Sequence, residues 1–187
     1  MKSFILLLVV LIITFCTFPH LDFMKKTRTG AAQENFEPLN ASSLPPILGT
    51  YLRDNNINFE LYTIPNHVKD LFALNSDFSS INKNKSKYSI ILVQPRTENS
   101  NFRLLYDKLK DISSSYPNKF NIIHRYEGNI SYPNSYDNQA AKDLMEHCNY
   151  FCLIDPQKET IFTFKKLTAT EVESIEAILQ QYSDITK

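Results

Sequence analysis

The residue types best suited to chemistry in this sequence are two cysteines and a histidine that lie close together towards its C-terminal end. His147 directly precedes Cys148, and Cys152 follows four residues later. Two thiols can form a disulfide when their Cα atoms lie within about 7 Å of each other, and thiolate and imidazole groups are ligands of zinc and copper. The pattern therefore admits a redox pair of Cys148 and Cys152, a copper or zinc site in which His147 joins them, or two separate small apolar residues of the core.

The elements predicted around these cysteines favour the third interpretation. Apolar residues recur at helical spacing from Ala140 to Cys148, whereas the apolar run at 150–154 predicts a buried strand. Cys148 would then end a helix and Cys152 would lie inside a strand, and this separates the sulfur atoms unless the turn is tight. No catalytic, metal or cofactor site is therefore assigned, and Cys148, Cys152 and His147 remain candidates. The distance between the sulfur atoms, and their exposure, separates the three interpretations.

Helices and strands alternate along the rest of the chain, and their order predicts an α/β fold. The apolar pattern predicts strands at 57–63, 88–93, 120–126, 150–154 and 160–164. It predicts helices at 46–55, 67–74, 102–116 and 137–148, and a last helix that follows a capping box of Thr168 and Glu171 and reaches 182. Such alternation predicts a mostly parallel sheet with right-handed crossovers, closed by a C-terminal β-hairpin and helix.

An uncharged apolar segment precedes this domain. Residues 4–18 would span roughly 22 Å as a helix, and a bilayer crossing needs about 20 residues. We expect residues 1–24 to be a retained signal-anchor that forms one transmembrane helix, with a cleaved signal peptide and a buried globular helix as alternatives. Residues 25–45 are polar and contain proline, which predicts a linker to a domain at 46–187.

Charge and cysteine content restrict the partners and the means of stabilisation. The chain carries 20 basic and 20 acidic residues, so its net charge is zero and a nucleic-acid surface is not expected. Three cysteines are too few for a disulfide-stapled small domain, and the core must be held by apolar burial.

We expect the domain to lie outside the cytoplasm, in a periplasm or at a cell surface. Lys25, Lys26 and Arg28 oppose this orientation by the positive-inside tendency.

One stretch of the chain resembles a known family. Residues 151–162 read FCLIDPQKETIF, which is similar to the FLIDPxGxI hairpin of membrane-anchored thiol-disulfide oxidoreductases of the TlpA type and of peroxiredoxins. The element order from Ile57 to Tyr182 is also that of the thioredoxin fold. The resemblance implies a thioredoxin-like three-layer α/β/α sandwich, and an N-terminal anchor is typical of these relatives.

The sequence departs from this family at the residues that carry the chemistry. Family members place a CxxC motif, or a peroxidatic cysteine, directly after the strand that corresponds to 88–93, where the next helix N-terminus lowers the thiol pKa. Residues 94–101 contain no cysteine here. The cis-proline that family members carry before the strand at 151–154 is replaced by Asn149 and Tyr150. Both departures predict a domain without the family's thiol chemistry.

These observations lead to a functional hypothesis with two alternatives. We expect a membrane-tethered, redox-inactive thioredoxin-like protein that binds a protein or peptide in a groove beside the lost active site. The first alternative is an atypical thiol-disulfide oxidoreductase that uses Cys148 and Cys152. The second is a copper- or zinc-binding chaperone similar to the Sco type, which combines CxxxC with a histidine. In the loop at 94–101, Arg96 and Glu98 are expected to be solvated, Asn99 or Ser100 to cap the next helix, and His124 to lie at the surface.

Overall fold

The computed structural model describes residues 35–83, 87–128 and 135–184. The segment 1–24, predicted to be a signal-anchor, and the first ten residues of the predicted linker lie outside the described residues. None of the helices in the described part of the chain has the length and hydropathy that a bilayer crossing requires.

Six α-helices and five strands alternate in the described residues, which confirms the α/β class. The strands are β1 (Phe59–Thr63), β2 (Tyr88–Gln94), β3 (Phe120–Tyr126), β4 (Phe151–Asp155) and β5 (Thr160–Phe164). The helices are α1 (Pro46–Asp54), α2 (Asn66–Leu74), α3 (Ser79–Lys83), α4 (Ser100–Ser115), α5 (Ser135–Cys148) and α6 (Ala169–Asp184). Of the six described α-helices, only α3 has no counterpart among the predicted elements, because its single buried residue, Ile81, leaves no periodic pattern.

Local sequence signals set the ends of several helices. Pro46 occupies the first turn of α1, where a missing N–H costs no hydrogen bond. The predicted capping box forms at the start of α6, where the backbone N–H of Thr168 donates to the Glu171 carboxylate at 3.0 Å and the Thr168 hydroxyl donates to the same oxygen. These caps satisfy backbone groups that a helix terminus otherwise leaves without partners.

The five strands form one mixed sheet in the order β1-β5-β4-β2-β3. Among the described strands only β2 and β3 run parallel, while β4 runs antiparallel to both β2 and β5, and β1 runs antiparallel to β5. The expectation of a mostly parallel sheet is therefore wrong. The periodicity of apolar residues shows that strands and helices alternate, but it does not show strand direction. Direction depends on where each connecting helix returns the chain. Among the described helices, only α4 joins two parallel strands that are neighbours in the sheet.

Helices cover both faces of this sheet, and two apolar clusters separate them from it. In β2, Ile90 and Leu92 point into the cluster formed with α1, α4 and α6, whereas Ile91 and Val93 point into the cluster formed with α2, α3 and α5. Strands β2 and β4 are buried along nearly their whole length, as their continuous apolar runs predicted.

The segment before α1 packs against the sheet. Phe36 and Leu44 are buried, and the described residues belong to a compact unit that spans Glu34–Lys187. The backbone N–H of Thr63 donates to the Glu37 carbonyl at 3.0 Å, and the N–H of Leu39 donates to the Leu61 carbonyl at 2.7 Å. The predicted linker is therefore wrong for residues 35–45. Phe36 and Leu44 are isolated apolar residues in a polar stretch, so no periodic pattern marks them in the sequence. Their burial depends on contacts with elements that are distant in the chain.

Candidate functional site

An open cleft in the described residues lies where β2 and β3 end. Its volume is about 590 Å³. The loop at 94–99, the first turns of α4 and two side chains of β3, His124 and Tyr126, form its walls. We call it the β2–α4 cleft. Because β2 and β3 are parallel, their carboxyl ends meet at the same edge of the sheet, and the chain leaves both there and opens a depression.

A side-chain cap holds the helical wall of the β2–α4 cleft. The Asn99 side chain accepts a hydrogen bond from the backbone N–H of Phe102 at 3.0 Å, which confirms Asn99 as the predicted cap. On the neighbouring turn, the Asn101 amide donates to the Leu167 carbonyl at 3.1 Å and ties α4 to the segment before α6. The helix start is thus fixed by polar contacts on two sides.

His124 lies half-buried at the base of the cleft, and three aromatic rings surround it. Its ring centroid lies 5.0 Å from Tyr126, 5.4 Å from Tyr106 and 6.4 Å from Phe102. Its Nε2 atom is buried and has no hydrogen-bond partner among the described residues. The expected surface position of His124 therefore holds only in part, because α4 packs over this end of β3 and half-buries the ring.

The environment of His124 also determines its charge. Burial, and secondarily the positive charge of Arg125, lower the pKa of the His124 imidazole below its ordinary value. The ring is therefore neutral at pH 7, with one nitrogen as donor and the other as acceptor.

Two arginines at the cleft differ in how firmly they are held. Arg96 donates from its backbone N–H to the Glu127 carboxylate at 3.1 Å and from Nε to the Glu127 carbonyl at 3.4 Å. Its guanidinium lies against Gly128, where a Cβ atom would approach one guanidinium nitrogen to 1.9 Å. The Arg103 guanidinium makes no hydrogen bond or ion pair with any described residue. One side chain is therefore fixed and the other is free to engage a ligand.

A second cleft adjoins the first. It has a volume of about 360 Å³, and Pro95 and Arg96 line both clefts. The other side of the second cleft is formed by Met145, Glu146 and the turn after α5. The fixed Arg96 side chain thus stands between the two depressions. Glu98, which the sequence placed in solvent, is exposed.

Cys148 and Cys152 are joined by a disulfide, and both residues are fully buried. Asn149 adopts a positive φ of 50° directly after α5, and the tight turn brings the two Cα atoms to 4.8 Å. The Thr163 hydroxyl donates to the Cys148 carbonyl at 3.1 Å or the Phe151 carbonyl at 2.7 Å and ties this turn to β5. The expectation that Cys148 and Cys152 are two separate core residues is wrong. The periodicity of apolar residues gives no sign that Asn149 adopts the left-handed conformation that makes the turn tight. Neither sulfur is accessible for attack by an external thiol.

His147 lies against the N-terminal segment. Its Nδ1 atom is 2.8 Å from the Asp143 carbonyl, and its ring stacks on Phe36 at 3.9 Å and meets the edge of Tyr62 at 5.3 Å. The disulfide sulfurs offer no thiolate to a metal ion. Within the described residues, no group of three or more histidine, cysteine, aspartate or glutamate side chains could hold a metal.

Sequence reasoning also missed a buried polar pair on the α2 and α5 side of the sheet. The His67 Nε2 atom lies 3.2 Å from the Asp143 carboxylate, to which the Gln139 amide donates at 2.7 Å. His67 had no partner in sequence because the two residues stand 76 positions apart. Sequence reasoning missed His124 for a similar reason. The one available signal was that His124 and Ile122 lie two positions apart in β3 and therefore on the same face of the strand, which is the face that a helix covers.

The β2–α4 cleft combines aromatic walls, a neutral imidazole and a free guanidinium, which are groups that bind and orient a ligand. No cysteine lies in its loop. Comparison of the chain with protein families, with curated proteins and with solved structures found no match.

Proposed function

We propose that this chain is a redox-inactive, thioredoxin-like protein that binds a peptide segment of another protein in the β2–α4 cleft. Its N-terminal segment, in this proposal, tethers the domain to a membrane on the extracytoplasmic side. The observation that carries the binding function is the group of three aromatic rings around the half-buried His124 in an open cleft.

The thioredoxin-like assignment is supported by connectivity. A β-α-β unit (β2, α4, β3) is followed by α5, a β-hairpin (β4, β5) and α6. This is the element order that suggested the fold from sequence, and the hairpin contains the FCLIDPQKETIF stretch. Likeness of fold alone does not assign a function, so the binding proposal rests on the cleft.

Loss of thiol chemistry is supported by the positions of the sulfur atoms. The loop between β2 and α4, where the helix start would activate a thiol, has no cysteine. The sulfurs of Cys148 and Cys152 are bonded to each other inside the cluster beneath α5. Thiol exchange requires attack on an accessible sulfur, and burial of both residues removes that access.

A peptide ligand is favoured by the shape of the site. The β2–α4 cleft is an open depression beside β3, the last strand in the sheet order, so it has room for an extended segment. Tyr106 and Tyr126 are 38% and 54% exposed, and amphipathic aromatic rings are typical of peptide-binding surfaces.

An extracytoplasmic location is supported by the disulfide. Disulfides persist in oxidising compartments and are uncommon in the cytosol, where thiols are kept reduced. The apolar segment at 4–18 would supply the export signal and the anchor. A reporter that is active only outside the cytoplasm, fused to the C-terminus, tests this placement, and an inactive, stably produced fusion would contradict it.

The binding function is tested with the full chain in detergent micelles and a displayed library of random twelve-residue peptides. Selected peptides are expected to lose most of their affinity for the Tyr106→Ala and His124→Ala variants. Tyr116→Ala is the matched control, because Tyr116 is 37% exposed on the loop that follows the same helix and does not line the cleft. Failure to select any peptide, or equal binding by all four proteins, would overturn the proposal.

A further inference from the structure

We propose that the peptide binds as an additional strand along the free edge of β3 and places an acidic side chain against Arg103. This inference rests on the proposed binding function and specifies its geometry and the chemistry of the partner. The partner is an extended segment of another protein in which a carboxylate-bearing residue lies on the same face as the residues that enter the β2–α4 cleft.

β3 is an edge strand of the sheet in the described residues. On its inner side, the Lys119 carbonyl accepts from the Tyr88 N–H at 3.1 Å, and the Glu127 N–H donates to the Gln94 carbonyl at 2.8 Å. Backbone groups alternate along a strand. The odd-numbered residues of β3 therefore bond to β2, and the N–H and C=O groups of Ile122, His124 and Tyr126 point away from the sheet.

The opposite edge of the sheet shows how the outward N–H and C=O groups of an edge strand can find hydrogen-bond partners. Outside β1, residues 37–39 run beside the strand, with an antiparallel bridge between Pro38 and Tyr62 and hydrogen bonds that involve Glu37 and Leu39. The chain thus covers one edge with its own extended segment. Among the described residues no segment pairs with the outer side of β3, although the Arg125 guanidinium donates to the outward carbonyl of His124 at 3.0 Å. An added strand would displace this one side-chain contact and pair with an edge that is otherwise a template for it.

The side chains beside this edge indicate what the added strand would carry. Residues of an added strand that share the face of His124 and Tyr126 would point towards the α4 side of the sheet, where the cleft lies. Arg103 lines that cleft and is exposed, and its guanidinium forms no hydrogen bond or ion pair with a described residue. A carboxylate is the complementary group, because it accepts two parallel hydrogen bonds from a guanidinium.

Charge also distinguishes a foreign peptide from a second copy of this chain. Residues 120–126 of β3 include no acidic side chain, so a second copy of this strand would bring no carboxylate to Arg103 from within the strand. A foreign segment with an acidic residue supplies that group, so the site favours a foreign strand over self-association.

The first test examines the free, full-length chain by amide hydrogen exchange. The outward N–H groups of Ile122, His124 and Tyr126 are expected to exchange quickly, and those of Asn121, Ile123 and Arg125 slowly. Protection of the outward set would mean that the chain covers this edge itself. Such a result would overturn strand addition and leave the proposed function standing.

The second test uses a library-selected peptide that binds the full chain and depends on Tyr106. Two synthetic series carry N-methyl groups on alternate residues, in the two possible registers. In strand addition one register loses affinity by about tenfold or more, since its N–H groups bond to β3, and the other register changes little. Equal sensitivity of both registers, or of neither, would reject strand addition although the peptide still binds in the cleft.

The acidic residue is tested by exchange of charges. Replacement of each acidic residue of the peptide by glutamine is expected to weaken binding about tenfold at one position. The Arg103→Glu variant should lose the same affinity and regain it with a peptide that carries lysine at that position. Lys110→Glu is the control, because Lys110 is an exposed residue of α4 that does not line the cleft. Absence of an acidic preference would contradict the assignment of Arg103. A chain that dimerises through β3 would contradict the choice of a foreign strand.

Discussion

The guanidinium of Arg96 lies against Gly128, in the space that a side chain at position 128 would occupy. Gly128 also has a positive φ of 74°, a conformation that other residues adopt only with strain. The glycine therefore has two roles: it lets the chain turn after β3, and it leaves room for the arginine that stands between the two clefts.

We expect the Gly128→Ala substitution to displace Arg96 and to lower stability. The guanidinium is the flexible end of a side chain and can move aside, so the main energetic cost comes from the positive φ and amounts to about 1 kcal/mol. Urea unfolding of the full chain in detergent measures the loss of stability. Peptide affinity shows whether the displacement of Arg96 alters binding.

Gly49→Ala is the matched control for that substitution. Gly49 lies inside α1, and a Cβ there would meet its nearest neighbour, the Ala41 carbonyl oxygen, at an ordinary 3.6 Å. Alanine should therefore stabilise this helix by roughly 0.5–1 kcal/mol. Equal effects of the two substitutions would contradict the role assigned to Gly128.

Removal of the disulfide is expected to destabilise the fold without exposing an enzymatic activity. The bond closes a short loop between Cys148 and Cys152, and the chain-entropy estimate for so short a loop is roughly 2 kcal/mol. The double variant Cys148→Ala, Cys152→Ala should lose about that much unfolding free energy, as should the native chain in reductant. A variant as stable as the native protein would show that the bond contributes nothing.

The same disulfide predicts the thiol content and the redox behaviour of the protein. Denaturation without reductant should reveal one free thiol, that of Cys16, because the other two cysteines of the chain are bonded. The full chain should not accelerate insulin reduction by dithiothreitol, since both sulfurs are buried. Three titratable thiols, or measurable insulin reduction, would return the oxidoreductase alternative to favour.

His124 should make stability depend on pH in a definite direction. Its folded-state pKa is lowered, so the unfolded chain binds more protons than the folded chain once the pH falls towards the ordinary histidine value. Stability is therefore lost as the pH falls below about 6.5 and levels off below the lowered pKa. The His124→Phe variant, which keeps an aromatic ring, should lack this contribution. Urea unfolding between about pH 5 and 8 compares the two, with the other histidines common to both. If the unfolding free energies of the native chain and of His124→Phe changed in parallel with pH, the prediction would be refuted.

Phe36 should contribute to stability as a core residue. It is buried, and its ring meets His147, Tyr62 and His67. Phe36→Ala is expected to cost about 3 kcal/mol, whereas alanine at the exposed neighbour Glu37 should change stability by less than about 0.5 kcal/mol. Chemical unfolding of both variants measures the difference. Equal, negligible effects would place this segment in a linker after all.

Local patterns in the sequence determined the kind and position of nearly every element. Apolar spacing identified five strands and five of the six helices in the described residues, and polar side chains before helices identified the Asn99 cap and the Thr168 capping box. The absence of cysteine from 94–101 was also visible directly. Such features depend on neighbours within a few positions, because caps and helical turns are short-range contacts.

Tertiary structure alone decided which distant residues meet. It set the antiparallel direction of β4, the bond between Cys148 and Cys152, the burial of Phe36 and the aromatic surroundings of His124. Periodicity reports that a side chain faces the interior, but it does not report which surface lies opposite. The cleft is a product of such encounters, since its walls come from β2, β3 and α4 and exist only after these elements have packed.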